Sequence, residues 1–152
     1  MARIRRILHA TDFSRASRPA FAAAVDMARA NRAELVLLHA LSPPIVPTAG
    51  EGYVSPELFE RLQTSARAGA QKQMDGLLRA ARKAGARAAA VIVDGGTPHE
   101  QILRAAKAKR VDTIVLGTHG RTGLARFFLG SVASRVVSTS PVPVLTVRGS
   151  AR

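Results

Sequence analysis

Short apolar runs alternate with longer stretches of helical periodicity along the chain. The clearest run is Glu34–Ala40, which is apolar over nearly its whole length and is followed closely by two prolines. Such a run is typical of a strand that is covered on both faces of a parallel sheet. Because strands and helices alternate throughout, the pattern predicts a single α/β domain with a doubly wound parallel sheet and helices on both faces.

The predicted elements follow from this alternation and from local start and stop signals. Thr97 and Glu100 have the spacing of a capping box, with Pro98 in the first turn of the helix that follows. The second helix is predicted to carry Leu58 and Leu62 on or near the same face as its later leucines. Strands are predicted at 4–10, 34–40, 88–93, 112–117 and 142–147, and helices at about 17–31, 56–84 and 132–138, besides the one that begins near Pro98.

The 152 residues leave room for one domain, which we expect to cover residues 1–148 and to be followed by a short tail at 149–152. Residues 42–55 carry prolines and glycines with neither period, which predicts a long exposed loop. No apolar run approaches the roughly 20 residues of a membrane-spanning helix, and the N-terminus lacks the apolar segment of a signal peptide. We therefore expect a cytoplasmic protein with no membrane partner.

Composition excludes some chemistry and favours other kinds. The chain has no cysteine, so disulfides, thiolate nucleophiles and zinc–cysteine sites are excluded. Its 23 Lys and Arg against 10 Asp and Glu give a net charge of +13, which attracts polyanions such as nucleotides or nucleic acid. A solvated basic surface with no such partner is an equally acceptable explanation of that charge. Aromatic residues make up 4% of the chain, which argues against binding of single strands by base stacking.

A glycine-rich segment, 117–131, joins the fourth predicted strand to the last predicted helix. Glycines let the main chain approach an anion, and the first N–H groups of a helix attract it. We expect the N–H groups of Gly130, Ser131 and Val132 to face a phosphate, with the Ser131 hydroxyl capping the helix or binding a phosphate oxygen. Arg121 adds positive charge. The spacing matches neither a Walker A loop nor a GxGxxG turn, and ordinary turn chemistry without a ligand stays an alternative.

These glycines resemble the signature of a known family. Gly117-x2-Gly120-x9-Gly130-Ser131 matches the G-x2-G-x9-G-(S/T) pattern of the universal stress proteins, in their ATP-binding branch. The resemblance extends over nearly the whole chain, from the first strand and its D-F-S turn to the PVPVL strand near the end. It implies a five-stranded parallel sheet of order 3-2-1-4-5, of the adenine nucleotide alpha hydrolase-like type, with the site between strands one and four.

The resemblance also implies a ligand and roles for individual residues. ATP or another adenine nucleotide would bind, with Mg or Mn held through its phosphates. Thr11 and Asp12 would contact adenine and ribose, and Ala40 would offer backbone atoms to the adenine edge. Leu116 and Gly117 would line the ribose. The phosphates would be held by five residues of the glycine-rich segment: Gly120, Arg121, Gly130, Ser131 and Val132.

The resemblance further implies a homodimer paired through the last strand, 142–147, where a bare sheet edge needs cover. It favours a nucleotide-binding module of the stress response that is regulated through nucleotide occupancy and dimerisation. A nucleotide-free dimeric interaction module and a basic nucleic-acid-binding protein are the alternatives.

Catalysis has little support in the sequence. No serine–histidine–acid arrangement and no GxSxG elbow is evident, and the four histidines lack the spacing of a metal site. His9 and His39 lie in apolar strands and are predicted to be packed core residues, whereas His119 lies in the glycine-rich segment. Asp12 is the only obvious carboxylate near the proposed site, and it could instead cap a helix. We expect no catalytic residues, no protein metal ligands and at most slow ATP hydrolysis.

Overall fold

Five parallel strands form one sheet. A computed structural model describes residues 3–44, 54–119 and 129–149. Within them the strands are β1 (Arg6–Ala10), β2 (Glu34–Ala40), β3 (Arg87–Val93), β4 (Thr113–Gly117) and β5 (Val144–Val147). Their order is β3-β2-β1-β4-β5, and every neighbouring pair is parallel. The predicted order and fold class are confirmed.

Helices cover both faces of this sheet. The chain forms a short 3-10 turn (Arg15–Ser17) and then α1 (Arg18–Asn31), α2 (Pro56–Lys83), α3 (Pro98–Ala108) and α4 (Ser131–Thr139). Helices α1 and α2 pack against one face with side chains such as Ile7 and Leu35. Helices α3 and α4 pack against the other face with Leu8 and Ile114. The doubly wound arrangement predicted from the alternating pattern is therefore present.

The central strands have almost no access to solvent. Ile7, Leu8, Ile114 and Val115 are fully buried, because successive side chains of a strand point to opposite faces and both faces carry helices. Full burial of an aliphatic side chain of this size contributes about 1.5–3 kcal/mol. The sheet core therefore provides a rigid base for the loops at its two ends.

Two helix starts use the local chemistry expected of them. The hydroxyl of Ser55 accepts the N–H of Leu58 at 3.2 Å, which caps α2. At α3, the Glu100 carboxylate accepts the Thr97 N–H at 2.9 Å and the Thr97 hydroxyl at 2.7 Å. These bonds lower the pKa of Glu100. The predicted pairing of Thr97 with Glu100 is present.

Three strands begin later than predicted. β1 begins at Arg6, not at residue 4. β5 begins at Val144, not at residue 142, because Pro143 has no N–H to donate; its carbonyl oxygen instead accepts the Ile114 N–H at 3.0 Å. β4 begins after Asp112. The Asp112 carboxylate accepts the N–H groups of Arg5 and Arg6 at 2.7 and 2.8 Å, which lowers the pKa of Asp112 and fixes the start of β1.

The first turns of α2 are not part of the core. Leu58 is 47% exposed and Leu62 is 38% exposed, so this part of the predicted apolar face is not covered by the sheet. Helical spacing gives these residues a common face with the later leucines, but only the C-terminal half of α2, where Met74 and Ala81 are buried, lies against the sheet.

The chain after β5 lies against the turn after β1. A Cβ atom on Gly149 would stand 2.4 Å from the carbonyl oxygen of Ala16, closer than any side chain can approach. Only glycine fits at this crossing. At this crossing the segment after β5 contacts the 3-10 turn that precedes α1.

His9 is a buried, uncharged histidine at the centre of the sheet. It is fully inaccessible, and its Nδ1 lies 3.0 Å from the carbonyl oxygen of Val115, to which it donates. Its Nε2 has no hydrogen-bond partner within the part of the chain that the structure describes. Burial lowers the pKa of His9 from 6.5 to about 4, which the hydrogen bond to Val115 offsets only in part.

This histidine makes stability depend on pH. Between pH 6.5 and about pH 4 the unfolded chain binds a proton at His9 that the folded protein does not, so the free energy of unfolding falls as the pH is lowered through that range. From pH 7 to pH 5 we expect His9 to contribute a loss of about 2 kcal/mol. His9→Asn keeps an N–H donor for Val115 but cannot titrate. Urea unfolding at both pH values should therefore show a smaller loss in the variant, and an unchanged loss would contradict this explanation.

Candidate functional site

A cavity of about 740 Å³ opens at the carboxyl ends of β1, β2 and β4. It lies where the strand order reverses, because the chain leaves β1 towards α1 on one face and leaves β4 towards α4 on the other. Ligands of open α/β sheets bind at such a switch point. The volume is also within the roughly 300–1,000 Å³ usual for small-molecule sites.

Most of the predicted site residues meet in this cavity. Gly120 and Arg121 lie outside the described residues. The predicted residues that line the cavity are Thr11, Asp12, Ala40, Leu116, Gly117, Gly130, Ser131 and Val132.

Side-chain hydrogen bonds shape the turn after β1. The Thr11 hydroxyl accepts the Phe13 N–H at 3.0 Å and lies 3.3 Å from the Ser17 hydroxyl, which donates to the Ser14 carbonyl oxygen at 2.7 Å. Oδ1 of Asp12 accepts the Ser14 N–H at 2.9 Å. Asp12 therefore stabilises the turn, while Ser14 and Ser17 hold the N-cap positions of the 3-10 turn and of α1. The alternative that Asp12 caps a helix is wrong.

Phe13 has a left-handed backbone, with a φ of 63°. This conformation costs about 1–2 kcal/mol for a residue with a side chain. Its ring stacks on His39 with ring centroids 4.3 Å apart, and Nδ1 of His39 lies 2.8 Å from the Thr11 carbonyl oxygen. These contacts hold the strained turn beside the cavity. His39 is buried as predicted, but it also lines the cavity, which the sequence did not indicate.

Helix α4 directs its N-terminus into the cavity. The Gly130 N–H donates to the Thr118 carbonyl oxygen at 2.7 Å, so the expectation that this N–H faces an anion is wrong. Gly130 holds the N-cap position and the helix begins at Ser131, so Ser131 does not cap it. Ser131, Val132 and Ala133 of the first turn line the cavity. Their amides have no acceptor within the helix, so the positive end of the helix dipole lies beside this space.

Charge in the cavity is distributed between two sides. Asp12 is the only carboxylate among the described lining residues and lies at the end of β1. The partial positive charge of the α4 N-terminus lies at the end of β4. Beside it, Nδ1 of His119 is 2.8 Å from the Thr118 hydroxyl. An elongated ligand with an anionic end and a hydroxyl-bearing part matches this division.

One wall of the cavity was not predicted. It comes from the middle of α2, where Ala66, Gly69, Ala70 and Gln73 face the space above the strand ends. A Cβ atom on Gly69 would meet nothing within 4 Å. Glycine within a helix costs about 1 kcal/mol relative to alanine, so Gly69 was the available signal that this helix lines an open space.

The described residues hold no group of three or more His, Cys, Asp or Glu side chains that could bind a metal ion. No helix within the described ranges is both long and apolar enough to cross a membrane.

Comparison with known proteins identifies the family. The universal stress protein family profile matches residues 3–148. The chain belongs to this family. Universal stress protein YxiE of Bacillus subtilis is 34% identical over 94% of this chain and 98% of its own length. Universal stress protein UspA from Lactobacillus plantarum has a structure that matches with a TM-score of 0.81 at 29% identity, over 97% of this chain and all of that one.

Two more distant universal stress proteins were solved with nucleotides. The Arabidopsis thaliana protein has AMP bound and matches with a TM-score of 0.69 at 23% identity, over 97% of this chain and 93% of that one. The Archaeoglobus fulgidus protein is in complex with dAMP and matches with a TM-score of 0.66 at 23% identity, over 97% of this chain and all of that one. At this identity the similarity shows a shared fold.

The Thr11 hydroxyl should be important for the stability of this turn. Thr11 is buried, and Thr11→Val leaves the Phe13 N–H without its acceptor, which we expect to lower the free energy of unfolding by about 1–3 kcal/mol. Thr11→Ser retains the hydroxyl and should lose less. Urea denaturation of the three proteins measures the difference. A loss in Thr11→Val no larger than that in Thr11→Ser would contradict a special role of the hydroxyl, because the valine variant keeps the methyl group that the serine variant loses.

Proposed function

We propose that this chain is a nucleotide-binding module of the stress response, acting in the cytoplasm, and that its ligand is ATP or another adenine nucleotide. The observation that carries the proposal is the first turn of α4, whose amides line a ligand-sized cavity at the switch point of the sheet. A helix N-terminus at such a point favours phosphate. The AMP and dAMP complexes of two distant family members support an adenine nucleotide.

The lining residues suggest how the nucleotide lies. Its phosphates would bind the amides of Ser131 and Val132, with Gly120 and Arg121 of the same segment completing the contact. Asp12 would accept hydrogen bonds from the ribose hydroxyls, and the wall at Leu116 and Gly117 would pack against the ribose. Adenine would lie towards Thr11 and the backbone of Ala40. Divalent metal, Mg or Mn, would bind through the phosphates.

We propose binding rather than rapid turnover. Phosphoryl transfer needs a residue that orients water and ligands that hold the metal. Among the described lining residues Asp12 is the only carboxylate, and it already accepts the Ser14 N–H. We therefore propose at most slow hydrolysis of ATP.

Dimerisation would be the property of the protein that nucleotide binding regulates. β5 is an edge strand, and its Leu145 is 40% exposed, so pairing with a second copy would cover both main-chain groups and apolar surface. The site is joined to this edge through Thr118, which accepts the Gly130 N–H at 2.7 Å and donates to the Val147 carbonyl oxygen at 3.0 Å. Nucleotide at the α4 N-terminus would thus influence the position of β5.

Removing one amide should weaken ATP binding. Ser131→Pro deletes the N–H of the first helical residue, where proline is well tolerated, and Gly130 already has the extended backbone (φ −57°, ψ 156°) that a following proline requires. We expect the Kd for Mg-ATP to rise about 10- to 100-fold in isothermal titration, because a hydrogen bond to a charged group is worth about 1.5–3 kcal/mol.

Ser131→Ala is the matched control, because it removes the hydroxyl and keeps the amide. We expect a smaller loss in this variant than in Ser131→Pro. If both variants bind like the unchanged protein, the phosphates do not lie at α4. If the unchanged protein gives no heat with millimolar Mg-ATP, the nucleotide-free interaction module replaces this proposal.

Filling the cavity from α2 gives an independent test. Gly69→Leu places a side chain in the open space beside the cavity, and we expect it to reduce ATP affinity at least about 10-fold. Gly76→Leu is the control, because Gly76 also lies in α2 with nothing within 4 Å of its Cβ position, but is not part of the lining. Both changes favour the helix by about 0.8 kcal/mol, so neither should lower Tm. Equal affinities in the two variants would contradict this location.

A further inference from the structure

A second cleft, of about 690 Å³, lies at the opposite end of the sheet. It is formed where the chain enters β1, β2 and β3, between the end of α1 and the end of α2. Four arginines line it, and its described lining includes no Asp or Glu. These arginines are Arg3, Arg29, Arg32 and Arg87.

The cleft arginines form few ion pairs, and Glu34, the register partner of Arg87, is paired with Arg6 at 2.8 Å instead. Within the described residues, the only ion pair that any cleft arginine forms joins Arg29 to Asp26 at 3.7 Å, and both side chains are largely exposed. Such an exposed pair is weak. Arg87 donates to the Arg32 carbonyl oxygen at 2.9 Å, which holds its guanidinium at the cleft. The cleft is therefore a concentrated positive surface.

Helix dipoles and nearby carboxylates do not neutralise this charge. Helices α1, α2, α3 and α4 all end at this edge of the sheet, and each contributes about −0.5 of a charge. With the carboxylates of Glu34 and Asp112, which lie at the starts of β2 and β4, the sum is about −4, whereas the four cleft arginines together with Arg5 and Arg6 give six positive charges at the same edge. Further cations follow the ends of α2 and α3 along the same edge: Lys83, Lys107, Lys109 and Arg110.

The cleft arginines and these further cations form a row along the strand starts, and its length indicates the kind of anion. Strands β3 and β4 are separated by three inter-strand spacings, so the starts of these strands are about 14 Å apart. One strand of a duplex presents a phosphate for about every 3.4 Å of axis, so the row matches about four consecutive phosphates. A free nucleotide would occupy only part of it. No aromatic side chain lines the cleft, which favours phosphate contacts over base stacking.

We propose that this arginine cleft and the adjoining row bind the phosphate backbone of double-stranded DNA without sequence preference. The surface is concave and charged. None of the large apolar side chains that the described chain exposes, such as Leu58 and Leu145, lines the cleft, so the cleft lacks the groups that insert into a membrane. The cleft is at the other end of the sheet from the nucleotide cavity, and the two sites are independent.

The test is binding of a fluorescent 20-base-pair DNA duplex of mixed sequence to the full chain. With about four phosphate contacts, we expect affinity to fall about 100-fold between 50 and 200 mM salt. The triple variant Arg3→Gln, Arg29→Gln, Arg32→Gln should bind at least 10-fold more weakly at 50 mM salt and show a shallower salt dependence. All three side chains are exposed, so Tm should change little.

A second triple variant, Arg18→Gln, Arg61→Gln, Lys72→Gln, carries the same net charge and changes exposed cations outside this edge. We expect it to bind DNA within about threefold of the unchanged protein, as charge lost away from the contact affects only steering. Equal weakening in both triples would overturn the proposal, because net charge alone would then explain binding. Absence of DNA binding at 50 mM salt would overturn it as well.

Two further measurements separate other anions from DNA. Millimolar ATP should leave the duplex bound, and displacement by ATP would overturn the proposal in favour of a site for free phosphates. Vesicles of one part phosphatidylserine to four parts phosphatidylcholine should bind more weakly than the duplex. Tighter binding to vesicles, lost in the Arg3, Arg29 and Arg32 triple, would instead assign the cleft to a lipid surface.

Discussion

The parallel pairing of β1 with β2 on one side and with β4 on the other is the constraint on which the rest of the structure depends. Because both neighbouring strands run in the same direction as β1, the three strands end at the same edge of the sheet. They leave towards opposite faces, which opens a space that side chains of the sheet cannot fill. The turn at Thr11, the strained Phe13 and the first turn of α4 are all built around that space.

The same directionality separates charge along the molecule. Helices that follow parallel strands all return in the opposite direction, so α1 to α4 all begin at one end of the sheet and end at the other. One end combines Asp12 with the start of α4 in a cavity, and the other collects guanidinium groups in a cleft. The single carboxylate of the described cavity lining and the arginines of the cleft are therefore kept at opposite ends of the sheet.

The sequence was most informative where local pattern and tertiary environment coincide. Continuous apolar runs identified the strands, because β1, β2 and β4 are buried on both faces, and the late glycines located the loop before α4. The exposure of Leu58 and Leu62 could not be predicted, because periodicity defines a helix face without saying what covers it. The Gly130 N–H and the α2 wall at Gly69 depend on partners more than ten and more than twenty residues away, which no local pattern encodes.

Thr118 hydrogen bonds on one side to the residue before α4 and on the other to the last residue of β5. Coupling between two binding events is reciprocal, so whatever a ligand at α4 does to association through β5, association does to ligand affinity by the same factor. If the proposed pairing occurs, the ligand affinity of each copy depends on the concentration of the protein. A cell that makes more copies would then alter how firmly each copy retains its ligand, even while the ligand level stays constant.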